Sequence, residues 1–441
     1  MRDTVARLMP EIRADLEELV RIPSVSFAGF DPAEVERSCQ ATVDILARAG
    51  METQILRIDG AHPAAFGRIP GPTDAPQVLL YAHHDVQPPG PEELWSSPPF
   101  EPAERGGRLF GRGSGDDKSG VVMHAGAVRA WEGHPPVGVT VFVEGEEESS
   151  SEHLPQFLAA YRDLLDADAV ILADSGNWRA GEPALTTSLR GIVNLFLEIR
   201  TLDHAVHSGE YGGAVPDALT VLARTLATLH DEDGRVAIPG LVSGPADPLD
   251  LTEDEVRAWT GARPDLRLIG EGTLTARMWT YPAIDVLGID APPTVEAANR
   301  IVPWAKAKVS MRIPPGQDPT EALAALTKHL ESNVPWGADV TITPEAAGAP
   351  YALTTDGPAF EAMRRGMREA FGRDAIDMGA GGSIPFLAAF AEAFPGAALL
   401  LTGAMDPTTN AHSENESVDL ADLERSTLAE ALFLGYLGER A

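Results

Sequence analysis

The chain holds a single cysteine, Cys39, among its 441 residues. No disulfide can form within it, and no thiolate metal site can be built. Cys39 falls on a predicted helix and reads as a small buried apolar residue. Positive charge is scarce too: 34 Lys and Arg stand against 66 Asp and Glu, a formal net charge of -32. Nucleic acid and anionic membranes recruit clustered cations, so neither is an expected partner. Lysine occurs only at positions 118, 306, 308 and 328, so Lys118, inside a glycine- and aspartate-rich loop, stands out. Long apolar runs are lacking as well. The runs present, 397–401 among them, fall far short of a membrane span. The first residues, Met1-Arg2-Asp3-Thr4, lead into an amphipathic pattern and not the apolar core of a signal peptide. A cytoplasmic location is the expectation.

What is present is an ordinary globular composition, 44% hydrophobic and 23% charged. The length points to about two domains. Val5, Leu8, Met9, Ile12, Leu16 and Leu19 keep helical spacing over 4–20. A second helix is predicted from the Asp31-Pro32 start to Gly50. Strand signals follow at 53–58, 65–69 and 77–82, then a helix at 117–131, a strand at 137–143, a helix at 152–160 and a strand at 169–172. This alternation predicts an α/β fold, a mainly parallel sheet flanked by helices. Near Ser188 the pattern changes. Residues 194–200 and 305–313 alternate like half-exposed strands, 217–230 and 320–333 read as helices, and 339–343 as a strand. Between them, 238–265 is a long stretch rich in proline, glycine and acids. The first pattern resumes with a helix from Ala359, a glycine loop at 379–382 and a strand at 397–401. The expected organisation is one domain over 1–187 and 349–441, interrupted by an α+β domain over 188–348.

The residues that carry chemistry lie at predicted strand ends, where α/β sheets place their sites. The run Leu79-Leu80-Tyr81-Ala82 ends in His83, with Asp85 two residues on. Alone, this is more often a hydrogen-bonded pair than a metal site. Gly111-Arg112-Gly113-Ser114-Gly115-Asp116-Asp117 precedes a helix. A glycine-rich turn there suits phosphate. Asp116 and Asp117 would repel an anion, however, and the phosphate-loop spacing is absent. A cation fits better, and Asp117 reads equally as a helix cap. Glu146-Glu147-Glu148 follow a strand. Adjacent like charges are unfavourable, and a bound dication removes that penalty; a solvated acidic turn is the other reading. Asp174 follows the strand at 169–172, and His412 lies in the polar loop 410–416. Histidines and carboxylates without cysteine suit Zn²⁺, Mn²⁺ or Co²⁺. Two such cations sharing a carboxylate polarise both water and carbonyl.

These five clusters, in this order, resemble the co-catalytic zinc metallopeptidases. The match includes Tyr81-Ala82-His83-His84-Asp85-Val86-Gln87-Pro88, Gly111-Arg112-Gly113 through Asp116-Asp117-Lys118, Glu147-Glu148-Ser149 and His207-Ser208-Gly209. That family includes carnosinase-like dipeptidases, aminoacylases and succinyl-diaminopimelate desuccinylase, and the resemblance spans nearly the whole chain. It implies two divalent ions, Zn²⁺ foremost. His83, Asp116 and Asp174 would hold one, Asp116, Glu148 and His412 the other, with Asp116 bridging. It implies that Asp85 fixes the tautomer of His83. Glu147 would be the general base for a metal-bound water that acts as nucleophile. A cis peptide is implied at Asp116-Asp117. The inserted domain resembles a lid and dimerisation domain, which implies a homodimer. Within it, His207 matches a histidine that reaches a neighbouring subunit's site to stabilise an oxyanion. Arg312, Gly382 and Ser383 match the groups that hold the substrate's carboxylate end.

The sequence departs from the family pattern at Ala82, His84, Ser150 and Arg300, none of them an implied ligand. Arg300 adds a positive charge where relatives often carry a small polar residue, which leaves substrate preference open. The implied activity is hydrolysis of the peptide bond of dipeptides or short peptides. Asp174 favours it, because family peptidases acting on free amino termini tend to carry Asp there and deacylases Glu. The alternatives are an N-acyl-amino-acid amidohydrolase, a two-metal phosphatase, and a binding protein that keeps the fold without the chemistry. The last predicts loss of a ligand or of Glu147, and all are present.

Overall fold

The computed structural model of the protein describes residues 1–382 and 385–439. They form two compact units, one from the described parts of 1–187, 353–378 and 384–441, the other from those of 188–352 and 379–383.

The first unit is built on a mixed sheet. Its strands run in the order Glu52–Leu56, Ala64–Ile69, Gly138–Glu144, Gln77–His83, Ala169–Leu172, Ala398–Leu401 and Ala184–Leu189. The four central strands, from Gly138–Glu144 to Ala398–Leu401, are parallel; the strands outside them pair antiparallel. Gln77–His83 shows why this chain makes a central strand. Val78, Leu80 and Ala82 join one core, while Tyr81 packs on the opposite face against Phe386 and Phe390, with ring centroids 4.7 and 5.0 Å away. A strand covered on both faces reads as an unbroken apolar run. Helices Arg2–Val20, Pro32–Arg48, Lys118–Arg129, Pro358–Phe371 and Leu420–Gly438 contribute to the core that holds Val78. Leu154–Ala160 and Pro385–Ala393 supply the aromatic residues of the other face. The helix Leu420–Gly438 was not foreseen, and it is mostly buried.

Parallel register brings the strand ends to one edge. His83 pairs with Glu144, and Tyr81 with Leu172, so the loops bearing Glu147, Glu148 and Asp174 leave the sheet beside His83. A separate three-stranded sheet, Ala103–Arg105, Arg108–Phe110 and Ser417–Asp419, pairs Ser417 with Phe110. That pairing sets the loop before Ser417, with His412, next to the loop after Phe110, with Asp116.

The second unit carries an antiparallel sheet ordered Ala283–Asp290, Trp304–Ile313, Gly191–Arg200 and Asp339–Gly348. Helices Ala218–Ala227 and Pro319–Ser332 share a core with Val193, Leu195, Leu197, Ile199 and Val309. Alternation in Gly191–Arg200 buries Val193, Leu195, Leu197 and Ile199 and leaves Phe196 half-buried, with the Lys306 ammonium 4.3 Å from its ring centroid. The acid-rich stretch contains an unforeseen helix, Glu253–Thr260, closed by a capping box between Thr252 and Glu255. The strand Ala283–Asp290 was also unforeseen; a register shift between Val286 and Gly288 breaks its alternation. Among the described residues no helix is long and apolar enough to cross a membrane.

Candidate active site

At the carboxyl edge of the first unit's sheet, the two side-chain oxygens of Asp116 face two histidines. His83 Nε2 lies 3.0 Å from Oδ1, and His412 Nε2 lies 3.0 Å from Oδ2. His412 Nε2 is also 3.2 Å from Glu148 Oε2. Ligand atoms of His83, Asp116 and Asp174 lie within 4.8 Å of one another, as do those of Asp116, Glu148 and His412. Asp116 belongs to both groups. Glu147 stands alongside, its Oε2 3.9 Å from His83 Nε2. The Asp116–Asp117 peptide is cis.

His83 is held from behind. His83 Nδ1 faces Asp85, 3.1 Å from its backbone oxygen and 3.4 Å from Oδ1, which leaves Nε2 for the Asp116 side. Asp117 turns away and accepts the Gly120 N–H at 3.2 Å, so it caps the helix Lys118–Arg129. Lys118 is fully buried, and its ammonium donates to the carbonyls of Leu19 and Ile22, each at 2.8 Å. It clasps the end of the first helix and reaches no ligand. Burial pushes its pKa down to about 7.

Sequence reasoning missed Glu416. Its buried carboxylate accepts from the Arg112 guanidinium at 2.7 Å and from the N–H groups of Gly113, Gly115 and Asp116 at 2.9, 2.9 and 3.0 Å. It thereby ties the His412 loop to the Asp116 loop. Ser26, also missed, donates to Asp85 Oδ2 at 2.7 Å.

The electrostatics describe a site made for positive charge. Burial, then the field of Asp174, holds the Glu147 carboxyl well above its ordinary value. Burial and Asp116 raise Glu148 and push Asp174 up to about 7. Burial alone would lower His83, but hydrogen bonds to Asp116 and Asp85 outweigh it and hold the imidazole well above its usual range. Asp116 and Glu148 together draw His412 up to about 11. Carboxylates this crowded want cations between them. Two imidazoles and three carboxylates, with no thiolate, fit divalent ions such as Zn²⁺, Mn²⁺ or Co²⁺.

His207, Arg312 and Gly382 belong to the second unit. His207 is exposed; its Nδ1 accepts the Gly209 N–H at 3.0 Å, and it pairs with Arg300 across a short antiparallel ladder. Arg312 is half-buried in the strand Trp304–Ile313, and that burial lowers its pKa. Arg190, which sequence reasoning passed over, lies against the carbonyls of Gly381, Arg277 and Tyr281. Burial, then the field of Arg312, pushes it down to about 10. Gly382 is exposed, and Ser383 lies outside the described residues.

Comparison with known proteins agrees with the site's chemistry. The sequence profile of Peptidase family M20/M25/M40 matches residues 79–434. A cysteinylglycine-S-conjugate dipeptidase from Corynebacterium striatum is 35% identical over 370 residues, 82% of this chain and 81% of that protein. A Beta-Ala-His dipeptidase from Rattus norvegicus is 26% identical over 449 residues, 97% of this chain and 88% of that protein. The solved structure of the dipeptidase Dug1p from Saccharomyces cerevisiae superposes with a TM-score of 0.83 at 24% identity, over 99% of this chain and 98% of that one. A profile match over most of the chain, together with a relative of this identity and coverage, makes the protein a member of peptidase family M20/M25/M40.

Proposed function

We propose that the protein is a metallo-dipeptidase that hydrolyses the peptide bond of free dipeptides or other short peptides. The observation that carries this reading is Asp116, shared between two ligand groups, with Glu147 beside them and outside both. His83, Asp116 and Asp174 would hold one divalent ion, and Asp116, Glu148 and His412 the other; Zn²⁺ is the proposed metal, with Mn²⁺ and Co²⁺ fitting the same donors. Such a pair supplies Lewis acidity for the scissile carbonyl and for the attacking water. Glu147 takes the proton of that water and later delivers it to the leaving amine. Asp85 keeps His83 in one tautomer.

The dipeptide substrate is supported by the relatives just described and by Asp174. In the second unit, we propose that His207 stabilises the oxyanion in a partner subunit and that Arg312, Gly382 and Ser383 serve the substrate's carboxylate end. A homodimer through this lid unit is supported by its edge strand Ala283–Asp290, where Val286, Leu287 and Ile289 are 42, 58 and 50% exposed. Exposed apolar edge strands invite pairing. A cytoplasmic location agrees with a lone cysteine that is buried and unpaired.

The test is one assay. Metal-stripped protein, reloaded with Zn²⁺ or Mn²⁺, meets a mixed panel of free dipeptides, their N-acetylated forms and tripeptides, with products read by mass spectrometry. Metal-dependent loss of free dipeptides is expected. Loss of the acetylated forms alone would make the protein an N-acyl-amino-acid amidohydrolase and overturn the Asp174 argument.

A further inference from the structure

Gln87 grips Glu148 with two donors. Its backbone N–H donates to Oε1 at 3.2 Å, and its side-chain Nε2 donates to Oε2 at 2.7 Å. Oε2 is also the oxygen that lies 3.2 Å from His412 Nε2. The orientation of the amide is settled by chemistry, because an ionised carboxylate only accepts. A carboxylate turns freely about its last bond, whose torsion is broad. Donors on both oxygens stop that rotation. What remains open on Oε2 then faces His412 and Asp116.

The two ligand groups differ in how much help they need. His83 is fully buried and braced by Asp85, so the group with Asp174 has a histidine fixed from behind. The other group depends on His412, whose side chain is 57% exposed and whose backbone has a positive φ of 62°. Non-glycine residues adopt that region only where their surroundings hold them. With an exposed imidazole on one side, the fixed geometry of this group must come from its carboxylates, Asp116, whose loop Glu416 holds, and Glu148. Asp85 restrains the Glu148 backbone N–H at 3.0 Å but does not touch its carboxylate. The carboxylate is Gln87's to hold.

We propose that Gln87 is the positioning residue that sets the affinity of the Asp116–Glu148–His412 group for its divalent ion and leaves the His83–Asp116–Asp174 group unaffected. The proposal rests on the two-cation reading above. Removing an outer partner of a metal ligand typically weakens the ion by about 10- to 100-fold.

The test compares wild type with Gln87→Met, which keeps the length of the side chain and removes the amide. Chelator-treated proteins are titrated with Co²⁺, followed by visible absorption and by calorimetry, and the melting temperature of the metal-free protein is measured alongside. Two ions are expected on the wild type. In Gln87→Met one of the two steps is expected to weaken by about 10- to 100-fold, with the other step and the metal-free melting temperature unchanged. If Gln87→Met does not fold, Gln87→Asn, too short to reach Oε2, carries the same expectation. Equal affinities in variant and wild type, or both steps weakened together, would overturn the proposal alone. Fewer than two ions on the wild type would overturn the two-cation reading and this proposal with it.

Discussion

The backbone N–H of Glu147 donates to Asp85 Oδ1 at 3.2 Å. The next N–H, of Glu148, donates to Asp85 Oδ2 at 3.0 Å. One buried carboxylate thus faces His83 on its own strand end and fastens the neighbouring strand's loop, which carries Glu147 and Glu148. The register of the sheet makes this possible, since His83 and Glu144 are paired partners.

Asp85→Asn tests that fastening. The variant keeps the shape but turns one oxygen into a donor, which then meets an N–H or the Ser26 hydroxyl. Metal affinity of the group containing His83 should fall by about 10- to 100-fold. Turnover at saturating metal should also fall, because the Glu147 backbone is released. Metal titration and kcat at saturating Zn²⁺ check both. Wild-type values in the two measurements would remove Asp85 from the assembly.

Glu147→Gln separates chemistry from metal binding. Glu147 lies outside both ligand groups, so metal content by mass spectrometry should match wild type. Loss of a general acid–base group costs about 10²- to 10⁴-fold in rate, and kcat on a cleaved dipeptide should fall by that order. Near-normal turnover would mean another group moves the proton.

The strand ends that carry His83 and Asp174 were legible because a buried parallel strand is an apolar run, and an acid or histidine at its end breaks the pattern. Each was only suggestive by itself, and the set of such breaks carried the reading. Glu416 makes no such break. It sits in a loop of Ser, Glu and Asn, and its partners lie some three hundred positions earlier in the chain, so nothing local marks it as buried. The helix Leu420–Gly438 hid for a different reason. It is buried on most of its circumference, and Ala, Ser, Thr and Gly among its residues blur any apolar stripe. The helix Glu253–Thr260 did carry a start signal, Thr252 with Glu255 three residues on, but prolines and glycines around it read as loop.

Glu416→Ala should show what that hidden carboxylate holds. Arg112 is only 2% exposed, and the variant strips away its carboxylate partner. Breaking a buried pair from one side costs about 3–5 kcal/mol. The three N–H groups of the Asp116 loop lose their acceptor as well. Urea unfolding of the metal-free protein should show a lower midpoint with an unchanged slope. An unchanged midpoint would mean that the Asp116 loop is held by other contacts.

His207→Ala addresses the trans role. The variant should turn over slowly while keeping both ions, since His207 belongs to neither ligand group. Mixed and subunit-exchanged with Glu147→Gln, it should recover part of the wild-type rate, because one mixed site then has both residues intact. No recovery after verified exchange would place His207 outside the partner's chemistry.

Cys39 offers a test of the first unit's core that is independent of metal. It lies on the helix Pro32–Arg48 and is fully buried. Burial, then the nearby Glu36 carboxylate, pushes its thiol up to about 12. Only the thiolate attacks a disulfide reagent. At pH 8 a thiol with that pKa is ionised in about one molecule in ten thousand, whereas an exposed cysteine near 8.5 is roughly a quarter ionised. Raising the pH from 7 to 9 increases both thiolate fractions, but that of Cys39 reaches only about one in a thousand at pH 9, and its burial denies the reagent access. With an aromatic disulfide reagent the native protein should release no colour across that range. In guanidinium it should release one equivalent per chain, matching its one cysteine. Reaction of the native protein at the rate of free cysteine would show that the helix Pro32–Arg48 does not pack against the sheet as described.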